Sequence, residues 1–212
     1  MCCAVKGILV CGDSISFGRG EMPNIGWAGR LKEYFEKQDI YHCLYNLGIP
    51  GDSSTDLLKR IDGELKARVR YVYPGDKYVI LIAIGINDLR GHGSPERVQT
   101  PKEQFEKNII KIISIAKKHS KHVVVVGLTP CDEKKTVPFE TTYITNAQVN
   151  TYDQLLKDAA ENEHVLFLDI LSPLLKKKYP SLLYDGIHPN QKGYQEMYRI
   201  IKDFLVEEKL ID

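Results

Sequence analysis

Residues 7–18, GILVCGDSISFG, pass from a short apolar run directly into a glycine, an aspartate and a serine. The apolar residues at 8–11 are bounded by glycines, a pattern typical of a strand buried on both faces of a parallel sheet. Gly12 allows the backbone to turn sharply where that strand ends. Ser14 is therefore expected at the carboxyl edge of the sheet, where open α/β folds bind their ligands.

The length and composition predict a single globular domain over residues 1–212. The chain is 43% hydrophobic and 27% charged, and it is long enough to bury a core without disulfides or metal ions. A formal net charge of +1 disfavours a nucleic-acid partner or an anionic membrane surface. No apolar run approaches membrane-spanning length, so no membrane insertion is expected. The sequence does not predict an oligomeric state.

The cysteines and the N-terminus predict a cytoplasmic protein. The five cysteines are an odd number and lack the paired spacing of a metal site. Cys11 and Cys43 fall inside predicted strands, where a free thiol behaves as a small buried hydrophobe, as suits a reducing compartment. The first residues lack the apolar core of a secretion signal. Metal-binding and phosphate-loop motifs are also absent, so no metal and no cofactor is expected.

Apolar runs and helical spacing alternate along the chain. The predicted strands are residues 8–11, 41–47, 77–84, 122–128 and 165–168. Helical patterns separate them, so the fold class is α/β, with a five-stranded parallel sheet and helices on both faces. Residues 90–101 and 131–145 are predicted as long loops that form the walls of a pocket.

Residues suited to serine chemistry follow several of these strands. Attack by Ser14 on a carbonyl needs a base, a group that orients the base, and donors for the oxyanion. His188 is the candidate base, and Asp185 is close enough in sequence for a tight turn to bring its carboxylate to the imidazole, although this segment also suits a helix entry. The N–H groups of Ser14 and Gly51 and the side-chain amide of Asn87 are candidate oxyanion donors.

Four motifs, in this order, resemble those of the SGNH hydrolases, the GDSL-type esterases and acylhydrolases, over nearly the full length. They are GDS at 12–14, NLGIPGDS at 46–53, GIND at 85–88 and DGIHP at 185–189. The resemblance implies a flavodoxin-like three-layer α/β/α sandwich and a small-molecule ester substrate. It also implies a nucleophile at Ser14, triad partners at Asp185 and His188, and an oxyanion hole made by Ser14, Gly51 and Asn87. The first motif departs from the family pattern by one apolar exchange, an isoleucine for the usual leucine. The G-x-S-x-G motif of the α/β-hydrolases is absent.

Several alternatives remain at this level. Ser53, in the second Gly-Asp-Ser, is a rival nucleophile that also suits a helix cap. Asp13, His92, Phe139 and Tyr143 are candidate substrate contacts. Because the two long loops are polar, we predict a short acyl group, such as acetyl, on a sugar or other polar alcohol. The alternatives are a lysophospholipase or thioesterase for longer acyl chains, and a binding module without turnover on the same fold.

Overall fold

A computed structural model describes residues 6–212, and its main feature is a five-stranded parallel sheet with helices on both sides. Cys2, Cys3 and the start of the N-terminal segment lie outside the described residues. The strands are β1 (Lys6–Gly12), β2 (Cys43–Gly48), β3 (Lys77–Ala83), β4 (Gly91–His92), β5 (His122–Val126), β6 (Thr142–Tyr143) and β7 (Leu166–Leu168). The helices are α1 (Ser14–Phe17), α2 (Gly26–Glu36), α3 (Ser54–Arg68), α4 (Lys102–His119), α5 (Glu133–Thr136), α6 (Asn146–Asn162), α7 (Leu171–Leu175) and α8 (Gln191–Glu207), with a 3₁₀ turn at Tyr179–Leu182.

The strand order of the main sheet is β2-β1-β3-β5-β7, and every neighbouring pair is parallel. The chain moves outward from β1 to β2 and then crosses to β3 on the other side of β1. The strand order therefore reverses between β1 and β3, as in flavodoxin-like doubly wound folds, whose ligands bind at this reversal. The predicted α/β class with a five-stranded parallel sheet is confirmed.

Helices form a layer on each face of the sheet. Helices α3, α4 and α6 pack side by side, and α2 packs against α8. The buried face of α4 includes Phe105, Ile109, Ile112 and Ala116, which recur at helical spacing. Each large apolar side chain buried in this way contributes roughly 1.5–3 kcal/mol. Within residues 6–212, no helix is long and apolar enough to cross a membrane.

The observed strands differ from the predicted ranges by at most two residues at either end. Strand β2 begins at Cys43 because Asp39 forms a turn, its carboxylate accepting the Tyr41 N–H and its carbonyl accepting the His42 N–H. Strand β5 ends at Val126, and the Leu128 N–H bonds the Asp153 carboxylate instead of a neighbouring strand.

The two segments predicted as long loops contain short paired strands, which corrects that prediction. Strand β4 pairs antiparallel with β6, with Gly91 opposite Tyr143 and His92 opposite Thr142. The Gln148 amide at the start of α6 donates to the carbonyl of Leu89, just before the first segment, and to that of Pro95 within it. The segments are therefore attached to each other and to α6.

Candidate active site

Ser14 lies two residues after the end of β1, as the first residue of α1, beside the point where the strand order reverses. A Cβ on Gly12 would lie 2.2 Å from Ser16 Oγ, so glycine is needed for the chain to turn this tightly. Asp13 caps α1 by accepting the Ile15 N–H at 2.9 Å. The turn therefore places Ser14 at the carboxyl edge of the sheet, 6% exposed.

Hydrogen bonds connect three of the predicted residues in a continuous chain. His188 Nε2 lies 2.9 Å from Ser14 Oγ, and His188 Nδ1 lies 2.6 Å from Asp185 Oδ2. A carboxylate only accepts hydrogen bonds, so the ring proton belongs on Nδ1 and the lone pair on Nε2. In this tautomer Nε2 accepts the hydrogen bond of the Ser14 hydroxyl. This is the arrangement that a general base needs.

The loop before α8 holds Asp185 and His188 together. Asp185 Oδ1 accepts the backbone N–H groups of Ile187 and His188, while Asn190, rather than Asp185, caps α8. Burial alone would raise the pKa of Asp185. The side-chain hydrogen bond from His188, the two backbone N–H groups and the charge of His188 outweigh burial and lower this pKa to about 2. Asp185 is therefore ionised at neutral pH.

The candidate oxyanion donors come from the ends of the first three strands. Gly51 has φ +91°, and a Cβ there would meet no atom within 4 Å, so the backbone conformation and not lack of space favours glycine. The Asn87 side-chain nitrogen donates to the Asp52 carbonyl at 2.9 Å. An amide nitrogen carries two hydrogens, so one remains for a ligand. Ser14 begins α1, so its N–H has no acceptor within the helix.

Two arginines that the sequence analysis did not single out support these groups. Arg90 Nη2 donates to Asn87 Oδ1 at 2.6 Å. Arg60 donates to the Asp52 carboxylate at 2.8 Å and to the Gly12 carbonyl at 3.0 Å, which connects the end of β1 to the loop before α3. The three-residue spacing of Asn87 and Arg90 is the one feature of the sequence that could have indicated the contact between these two side chains.

The rival serine and Asp13 have structural roles. Ser53 caps α3 in a reciprocal capping box, in which its hydroxyl oxygen accepts the Asp56 N–H and the Asp56 carboxylate accepts the Ser53 N–H. The Ser53 hydroxyl also donates to the Asp56 carboxylate at 2.7 Å. Asp13 is 2% exposed and caps α1, and its contact with substrate stays a prediction. Burial raises the pKa of Asp13 to about 7, although the Ile15 N–H and the charge of His188 lower it.

The other candidate contacts lie in or beside the paired strands β4 and β6. His92 is in β4 and Tyr143 in β6, while Phe139 precedes β6 and is 57% exposed. No hydrogen bond within residues 6–212 joins them to Ser14 or His188, and their contact with substrate stays a prediction. The described part of the chain contains no cluster of three or more His, Cys, Asp or Glu side chains that fits a metal ion.

A doubly wound α/β fold with a Ser-His-Asp chain at its strand ends defines a class of serine hydrolases. The model of the GDSL-like lipase/acylhydrolase family matches residues 10–196, and the chain belongs to this family. It is therefore a carboxylic ester hydrolase.

Solved structures share the fold at low sequence identity. The lipase/acylhydrolase from Enterococcus faecalis is 19% identical, with a TM-score of 0.71 and 95% of each chain covered. The acetylxylan esterase Axe2 from Geobacillus stearothermophilus is 21% identical, with a TM-score of 0.70 over 98% of this chain and 96% of that one. The acetyl xylan esterase AlAXEase is 20% identical, with a TM-score of 0.73 over 94% and 99%. A comparison with curated protein sequences gives no match.

Proposed function

We propose that this enzyme hydrolyses short acyl esters, acetyl esters foremost, of sugars or other polar alcohols through an acyl-enzyme on Ser14. The observation that carries the mechanism is the hydrogen-bond chain from Asp185 through His188 to Ser14, with distances of 2.6 and 2.9 Å. It supplies a nucleophile, a base in the required tautomer and an ionised group that orients the base.

The proposed reaction uses this chain in both halves. His188 Nε2 takes the hydroxyl proton as Ser14 Oγ bonds to the ester carbon, and Asp185 stabilises the resulting imidazolium. The tetrahedral intermediate collapses as the imidazolium protonates the departing alkoxide, which leaves the acyl group on Ser14. A water molecule then attacks the acyl carbon with His188 again as base, and the acid leaves with Ser14 regenerated.

The negative charge on the carbonyl oxygen requires donors that are already in place. In this proposal the N–H groups of Ser14 and Gly51 and the free hydrogen of the Asn87 amide bind that oxygen. Each such donor contributes about 10²–10³-fold to turnover in comparable sites. The left-handed backbone at Gly51 and the bond from Asn87 to the Asp52 carbonyl support this assignment, because both fix the direction of a donor.

The polar character of the segments expected to form the pocket walls favours a short acyl group on a polar alcohol. Residues 90–101 and 131–145 are mostly polar, and neither contains a long apolar run that would suit a fatty chain. Tyr184, whose N–H bonds the His188 carbonyl, is 69% exposed, which suits an open site for a polar alcohol. Two of the structures with this fold are acetylxylan esterases.

Labelling with a fluorophosphonate probe, followed by mass spectrometry of the modified peptide, tests the serine mechanism. We expect an adduct on Ser14 that disappears in His188→Ala and persists in Ser53→Ala, the matched control. An adduct on Ser53 would contradict the choice of nucleophile. A folded protein that forms no adduct and hydrolyses no ester would be a binding module.

A series of p-nitrophenyl esters from acetate to dodecanoate tests the acyl group, and acetate release from acetylated xylo-oligosaccharides tests the alcohol. We expect kcat/KM to be highest for acetate and to fall as the chain lengthens. A rise with chain length would replace the proposal by a lysophospholipase or thioesterase activity.

A further inference from the structure

The side chain of Asn87 is held at both ends of its amide. Its oxygen accepts a hydrogen bond from Arg90 Nη2 at 2.6 Å, and its nitrogen donates to the Asp52 carbonyl at 2.9 Å. A guanidinium group only donates and a carbonyl only accepts, so these two partners fix which end of the amide is oxygen. The second hydrogen of the nitrogen is therefore fixed in direction as well.

The charge of Arg90 is not neutralised by a direct partner. None of the ion pairs formed within residues 6–212 includes Arg90, although the side chain is half-buried. Burial lowers the pKa of Arg90, and the more distant charge of Asp13 partly offsets this effect. A partly buried cation without a carboxylate partner costs stability, so its position calls for a functional reason.

We propose that Arg90 is a positioning residue of the oxyanion hole, which aims the Asn87 amide and strengthens it as a donor. A hydrogen bond from a cation to the amide oxygen draws electron density away from the amide nitrogen, which makes the N–H of that nitrogen a better donor. The effect is larger when the ester oxygen carries a full negative charge than in the ground state, so Arg90 raises kcat more than it lowers KM. This inference rests on the proposed function, in which Asn87 donates to the oxyanion.

The test compares Arg90→Met, Arg90→Lys and Arg97→Met with p-nitrophenyl acetate as substrate. Arg90→Met removes the hydrogen bond and the charge, and we expect kcat to fall about 10–10²-fold with KM within about twofold. Arg90→Lys keeps the charge and one donor, and we expect it to recover part of the loss. Arg97 is exposed in the same segment and makes no side-chain bond to Asn87, so Arg97→Met is the matched control and should match the unmutated enzyme.

The Asn87→Ala background separates positioning from a merely structural role. Without the amide, Arg90→Met should lower kcat by less than about twofold, because the two residues act as one unit. Additive losses, or a raised KM with unchanged kcat, would overturn the inference. If Arg90→Met is poorly folded, the same comparison is made with Arg90→Lys.

Failure of this inference is distinguishable from failure of the proposed function. If Asn87→Ala lowers kcat while Arg90→Met does not, only the role of Arg90 is lost. If Asn87→Ala leaves kcat unchanged, the oxyanion assignment of Asn87 is lost and the role of Arg90 with it.

Discussion

Replacement of Asp185 by asparagine tests the proposed tautomer of His188 directly. Two backbone N–H groups point at Asp185 Oδ1, at 3.0 Å from Ile187 and 2.8 Å from His188, so an asparagine must place its oxygen there. Its NH₂ group then occupies the position of Oδ2, which lies 2.6 Å from His188 Nδ1. Because NH₂ donates, Nδ1 must accept, and the ring proton moves to Nε2. In that tautomer Nε2 cannot take the proton of Ser14.

We expect Asp185→Asn to lower kcat by about 10⁴-fold, the usual effect of the wrong tautomer in a serine triad. This corresponds to about 5 kcal/mol of transition-state stabilisation. The fold should persist, because the asparagine oxygen still accepts both backbone N–H groups.

Asp185→Ala removes that acceptor and should lower the free energy of unfolding by about 1 kcal/mol, as for a lost cap. However, the Asp185 side chain is 42% exposed, so in Asp185→Ala a water molecule can accept the hydrogen bond of His188 Nδ1–H. The ring proton then stays on Nδ1, and Nε2 can still act as the base.

The two substitutions should therefore rank in opposite order for stability and for activity. Steady-state kinetics with p-nitrophenyl acetate and urea unfolding measure both orders, and we expect kcat of Asp185→Ala to exceed that of Asp185→Asn. The reasoning is refuted if Asp185→Asn is the more active of the two, or if it retains the unmutated kcat.

Three further predictions concern single residues. Asn87→Ala should lower kcat for p-nitrophenyl acetate by about 10²–10³-fold with little change in the melting temperature. Asp13→Asn keeps an acceptor for the Ile15 N–H but cannot ionise. The folded-state pKa of Asp13 is raised from 3.8 to about 7, so the free energy of unfolding of the unmutated protein falls as the pH rises through this range. Urea unfolding should therefore show Asp13→Asn gaining stability relative to the unmutated protein over the same range. His164, at the end of α6, has φ +55°, so His164→Gly should raise the free energy of unfolding by about 1 kcal/mol in thermal unfolding.

The fold could be predicted from the sequence because its strands are continuous apolar runs. Residues 77–83, KYVILIA, are buried over most of their length, and such a run in an alternating chain indicates a central parallel strand. The pairing of β4 with β6 could not be predicted, since each strand has two residues, too few to show a period. Their pairing depends on contacts between segments that are far apart in sequence.

The residues of the site could be predicted from local spacing and from the four family motifs, whereas the side chains that support them from outside those motifs were missed. Asp185 and His188 share one turn, so their spacing alone suggested the contact. Arg60 reaches the Gly12 carbonyl across 48 positions, and a charged residue on a helix is ordinarily expected to face water. The role of Asp13 as the cap of α1, whose carboxylate accepts the Ile15 N–H, was also not predicted from the sequence.

The register of the sheet determines whether these distant groups meet. Gly12 lies opposite Gly48 in β2 and opposite Ala83 in β3, so the turns that follow the three strands leave the sheet at one level. A slip of one residue would move a strand end by about 3.3 Å, whereas a catalytic group must be placed within about 0.5 Å. It would also turn the buried side chains of that strand to the opposite face. The apolar residues of β1 and β3, far from any substrate, therefore specify the geometry of the oxyanion hole as firmly as the polar residues that form it.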